Sequence, residues 1–139
     1  MLRKTRRGHH RVVAALAETG NDVIMDYPLT EPWRLNDLLD VLAGYDVTLV
    51  DVHCSQEERT RREQHRGDRP QGLSASQTDV FSHGDNDIQV DTTTRSPTAC
   101  AHDIATRLNA INSPNAFDRL RHTALSRLAT PTQSAPTCL

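Results

Sequence analysis

The chain has 139 residues, 16 basic and 18 acidic side chains, a net charge of −2 and 36% hydrophobic residues. That length suits one domain with a thin core, and near-neutral charge gives no overall pull toward nucleic acid or a membrane surface. No apolar run approaches the ~18 residues of a membrane helix, and Cys54, Cys100 and Cys138 are too few and too scattered for a disulfide framework or a zinc knuckle, which points to a reducing cytoplasm.

The charge is uneven along the chain. Arg3, Lys4, Arg6, Arg7 and Arg11 all precede the first acid, Glu18. Such an acid-poor start has the composition of a transit peptide, without the apolar stretch of a secretory signal. Nucleic-acid binding through it is opposed by an aromatic content of only 4%, because single-strand binders need stacking platforms.

Arg3–Thr19 reads as a helix, with Val12, Val13, Ala15 and Leu16 at helical spacing and Gly20-Asn21 as its stop. Asp22–Asp26 is a continuous apolar run between two acids, the pattern of a strand buried on both faces of a parallel sheet. Two prolines make Tyr27–Pro32 a loop. Leu35, Leu38, Leu39 and Leu42 then recur at i, i+3, i+4 and i+7, an amphipathic helix ended by Gly44.

Asp46–Val52 is the second expected strand. Ser55, with Glu58 three residues on, forms a capping box that starts a helix from Gln56 to about His65. That helix is almost wholly charged and has no apolar stripe, so it is expected to stand away from the core. Arg66–Pro70 breaks it, and Leu73–Phe81 resumes it briefly. Asp87–Asp91 alternates as a third short strand, and Thr92–Arg95 is a loop. Ser96-Pro97 caps a helix facing inward with Cys100, Ile104 and Leu108. Beyond Asn109 the sequence reads as a linker at Ser113–Asn115, one or two helical turns over Phe117–Leu128, and a disordered tail from Pro131. Residues 1–108 are thus expected to form the domain and residues 109–139 its appendage.

Helices alternating with strands across long connections imply an α/β layer with an incomplete parallel sheet of about three strands. Ligands in such sheets gather at the carboxyl ends of strands. Asp26-Tyr27, His53-Cys54-Ser55 and Asp91-Thr92-Thr93 all fall there, although Asp and Thr are also ordinary strand-end residues. The charged helix, with Glu58–Arg62 and Arg59–Glu63 pairs at i, i+4, runs from Arg62 into Arg66-Gly67-Asp68-Arg69, the layout of a phosphate-facing lid in which guanidinium groups clamp a phosphoryl group from a mobile segment. Exposed ion pairs on a solvated helix are the alternative explanation.

Several stretches resemble the chloramphenicol phosphotransferase-like family of P-loop kinases. They are Val12–Ala17 leading to Val23–Asp26, Val47–Cys54, Arg66–Arg69 with Gly72 and Gln77, and Val90–Thr93, spread from about Arg11 to Leu108. The resemblance implies transfer of the γ-phosphoryl of ATP, with Mg²⁺, to a hydroxyl of a small molecule such as chloramphenicol. It implies a lid over about 55–72, in which Arg66 and Arg69 face the phosphates and Asp68 orients them. By the same resemblance Asp91, Thr92 and Thr93 form the loop near the adenine, and Asp26 binds magnesium through water. His83 has no assigned role beyond that of a surface-loop histidine. Trp33 either flanks an aromatic acceptor or anchors the core.

One element is missing from the sequence. A phosphate loop of the form GxxxxGKS/T is absent, and the sole lysine is Lys4. Without the loop's backbone amides and lysine there is no cradle for the β- and γ-phosphates. The chain is therefore expected to be the back portion of a kinase domain, inactive alone. The alternative is a non-catalytic nucleotide-binding or regulatory protein that pairs with another chain.

Overall fold

The computed structural model describes residues 2–66, 72, 79–111 and 113–129. In chain order the elements are α1 (Leu2–Glu18), α2 (Pro32–Val41), β1 (Val50–His53), α3 (Gln56–Arg66), β2 (Ile88–Asp91), α4 (Pro97–Leu108) and α5 (Ala116–Ala129). The expected tail from Pro131 and most of the Leu73–Phe81 helix lie outside the described residues.

The fold is α/β, with β1 and β2 paired in parallel so that Val50 lies opposite Ile88 and His53 opposite Asp91. Among the described residues the sheet has two strands rather than three. Asp22–Asp26 forms no strand. The physical reason is the lack of a neighbouring ladder, since an apolar run becomes a strand only where another strand takes its amides and carbonyls. The segment is instead held from one side. Met25, Tyr27 and Leu29 pack onto the helices at a spacing of two, whereas Ile24 is 100% exposed.

The larger core joins α1, α2 and α5 through Val13, Leu38, Leu39, Leu42 and Phe117. Leucine spacing alone accounts for the α2 contribution. On α1 the inward face is not the expected one: Val13 and His10 are buried, while Val12 is 57% and Leu16 45% exposed. The helix is rotated by a polar contact, because His10 Nδ1 lies 2.7 Å from Asp37 Oδ2 on α2.

A smaller core forms where α4 covers the sheet, through Ile88, Val90 and Cys100, with Val50, Ile104 and Ile111 against them. Ser96 caps α4 as expected, its Oγ accepting from the Ala99 amide at 3.1 Å. Helix α5 is longer and more central than expected, with Ala116 and Phe117 buried. Asn115 caps it by accepting from the Asp118 amide at 2.9 Å. The Asp87 carboxylate accepts from the Ala116 amide at 2.6 Å and the Leu49 amide at 2.9 Å, tying α5 to the start of both strands.

Candidate active site at the strand tips

Helix α3 begins three residues after β1 ends, so its base sits at the carboxyl tip of the sheet. Ser55 caps it, Oγ accepting from the Glu58 amide at 3.2 Å. The reciprocal half of the expected box is not made. The Ser55 amide donates to Thr93 Oγ1 at 2.8 Å, and Glu58 turns to its own helix. Its oxygens accept from Arg61 at 2.6 and 2.7 Å and from Arg62 Nε at 2.7 Å. Those bonds, Arg61 first, hold the Glu58 carboxyl down to about 2 from an ordinary 4.5.

Arg62 also crosses to the next strand tip. Its Nη2 donates to the Thr92 carbonyl at 2.6 Å and its Nη1 to Thr92 Oγ1 at 3.3 Å. Thr92 in turn donates to the His53 carbonyl twice, from its amide at 2.8 Å and from Oγ1 at 3.0 Å. The Thr93 amide donates to Asp91 Oδ1 at 2.7 Å, and bonds from the Thr93 hydroxyl and amide hold the Asp91 carboxyl below its usual range. Both threonine hydroxyls are thus engaged in shaping the loop.

Of the expected site residues, Asp91, Thr92 and Thr93 share one strand tip. Arg66 ends the helix rooted beside them, exposed and with no ion pair among the described residues. It lies one helical turn, about 6 Å, beyond Arg62 on the same face. Asp68 and Arg69 lie outside the described residues, as do Gly67 and Gln77. Asp26 does not join the group: it is exposed in the segment between α1 and α2. Helix α3 is also less detached than its composition suggests, because Glu63 is buried and accepts from the Gly72 amide at 3.2 Å.

Three polar features were not anticipated. Arg62 makes the i, i+4 pair with Glu58 that the spacing predicts, but its reach to the Thr92 loop was hidden in a run of like residues. His83 is no surface histidine: its side chain is 4% exposed and its Nε2 lies 3.3 Å from Asp51 Oδ1. The other Asp51 oxygen accepts from Asn86 at 3.1 Å, and Phe81 stacks on His53 at 4.0 Å. An acid in mid-strand among valines was the available signal, since a buried carboxylate requires partners. The third feature is Asp37, which binds Arg7 at 2.8 Å, Arg11 at 3.0 Å and His10 at 2.7 Å. Burial raises its pKa, but the bonds from Arg11, His10 and Arg7 outweigh that and bring it from 3.8 to about 2. Beside this cluster Trp33 is half-buried beneath the Arg3 guanidinium, 4.9 Å from the ring centre.

The donor set fits a protein-held magnesium poorly. Asp26 is a single exposed carboxylate followed by Tyr27, and the described residues hold no group of three acids, histidines or cysteines able to bind a metal. Among them, too, no helix is long and apolar enough to cross a membrane.

Residues 1–109 match the chloramphenicol phosphotransferase-like protein family. The chain is also 36% identical over 119 residues to two Mycobacterium tuberculosis proteins, named Putative O-phosphotransferase MT2714 (strain CDC 1551 / Oshkosh) and Putative O-phosphotransferase Rv2636 (strain ATCC 25618 / H37Rv). The match takes in 84% of this chain and 52% of each relative, so the chain spans about half the length of the curated relatives it matches. A family match across 109 of 139 residues, with parallel strands, a cationic helix and a threonine loop meeting at one end of the sheet, places the chain in the chloramphenicol phosphotransferase-like family.

Proposed function

We propose that the chain supplies the lid and the nucleotide-side loop of an ATP-dependent O-phosphotransferase acting on a hydroxyl of a small molecule such as chloramphenicol. The observation that supports this is the fastening of α3, the helix that ends in Arg66, to the Thr92 loop through Arg62. In the reaction the bond between the γ-phosphorus and the ADP oxygen breaks as a bond to the acceptor oxygen forms, and the hydroxyl proton passes to solvent water. Charge accumulates on the transferring oxygens, and Arg66 and Arg69, oriented by Asp68, neutralise it. Asp91, Thr92 and Thr93 border the adenine. Any magnesium arrives on the nucleotide phosphates, since Asp26 alone makes a weak site. Residues 1–108 form the functional unit and 109–139 follow it, with α5 bracing it. A soluble cytoplasmic setting suits a small-molecule kinase of this kind.

Without a GxxxxGKS/T loop the chain binds nucleotide weakly and does not turn it over. Purified chain assayed with ATP and an alcohol acceptor is expected to release no ADP above background. Steady ADP release scaling with protein concentration contradicts the proposal.

A second reading is favoured by exposed apolar side chains: Val12, Leu16, Val52 and Ile24 all face solvent. On this reading the chain is a non-catalytic partner that pairs with another polypeptide. A stable heteromer, recovered with weak ATP binding and no hydrolysis, distinguishes it.

A further inference from the structure

We propose that Arg62 is a positioning residue that locks the base of α3 to the Thr92 loop, so that lid and loop keep one relative orientation. The proposal rests on the O-phosphotransferase reading for the identity of the ligand, and on geometry for the lock itself. The guanidinium is a planar fork with five donors. Here it spends Nε on Glu58 Oε1 at 2.7 Å, Nη2 on the Thr92 carbonyl at 2.6 Å and Nη1 on Thr92 Oγ1 at 3.3 Å. Thr92 passes the constraint on to β1 through its two bonds to the His53 carbonyl. Glu58, Arg62, Thr92 and His53 therefore form one polar chain linking helix and both strand tips.

The lock matters because apolar packing does not fix this helix among the described residues. It carries no apolar stripe, and Glu63 is its one buried side chain among the described residues. A change in the Arg62 contact swings Arg66, one turn on, relative to the loop. Arg61 provides an internal control. It binds the same Glu58 carboxylate but points about 100° away around the helix.

The experiment compares the full chain with R62A, R62K and R61A by amide hydrogen exchange. R62A is expected to speed exchange about tenfold over both 58–66 and 92–95, with α1, α2 and α4 unchanged. R62K, a point charge without the fork, does not restore the Thr92 end. R61A behaves like the parent chain. An R62A effect confined to α3, or no larger than that of R61A, overturns the lock. Should R62A lose protection everywhere, R62K is judged by the same criterion.

ADP affinity supplies a readout that mere helix stability does not move. R62A and R62K are expected to bind ADP about fivefold more weakly than the parent, and R61A equally well. Unchanged ADP affinity in R62A overturns the positioning role. If the parent chain itself fails to bind ADP, the nucleotide reading falls, and the exchange data alone decide the lock.

Discussion

Asp37 carries two arginines and a fully buried histidine. Its pKa lies at about 2, below the ordinary 3.8. The group therefore stabilises the fold above pH 3.8, and that contribution, roughly 2 kcal/mol, is lost as pH falls toward 2. Urea unfolding across this range is expected to show a steepening loss of stability that D37N largely removes. At neutral pH D37N costs about 2 kcal/mol, because it leaves the buried imidazole facing an amide and strips both arginines of their partner. Glu58 titrates in the same range but is screened by solvent, so its loss shows chiefly in α3. None of this was legible from sequence: an aspartate between leucines reads as one polar position of an amphipathic helix. Its partners sit 26 to 30 residues away.

At the scale of elements, the helices with strong periodicity were legible and those set by distant contacts were not. Leu35, Leu38, Leu39 and Leu42 announced α2, and Ser96-Pro97 announced α4. Replacing Ser96 with Ala is expected to cost about 1 kcal/mol in urea unfolding by orphaning the Ala99 amide. Helix α5 was underestimated because its apolar positions are sparse and its anchor, Phe117, is a single aromatic beside a linker. Phe117→Ala is expected to cost about 3–5 kcal/mol, the penalty of a cavity in the main core. A cost below about 0.5 kcal/mol would belong to a loose appendage instead. The opposite error occurred at Asp22–Asp26, where the residues favour a strand but no ladder receives it. In α3 the charge pattern was plain, whereas the particular arginine that reaches the Thr92 loop was not, since adjacent arginines differ only in direction around the helix.

Across the whole molecule, the helices and the two-stranded sheet leave several large apolar side chains uncovered. Val52 is 53% exposed while its register partner Val90 is 2% exposed, because α4 covers only one side of the pair. Ile24, Val12 and Leu16 add to that surface, which is expected to drive concentration-dependent association. Sedimentation velocity should show this, and I24E combined with V12E should reduce it; unchanged sedimentation would separate the exposed side chains from association. What short motifs made legible was the meeting of Asp91, Thr92 and Thr93 at one strand tip, beside a charged helix that a Ser55 cap starts. Titration of the isotopically labelled chain with ATP, followed residue by residue through amide chemical shifts, tests the central claim most directly. Shifts concentrated at Arg66, Thr92 and Thr93 are the predicted result. Shifts absent there, or confined to the opposite end of β2 around Asp87 and Ala116, would contradict it.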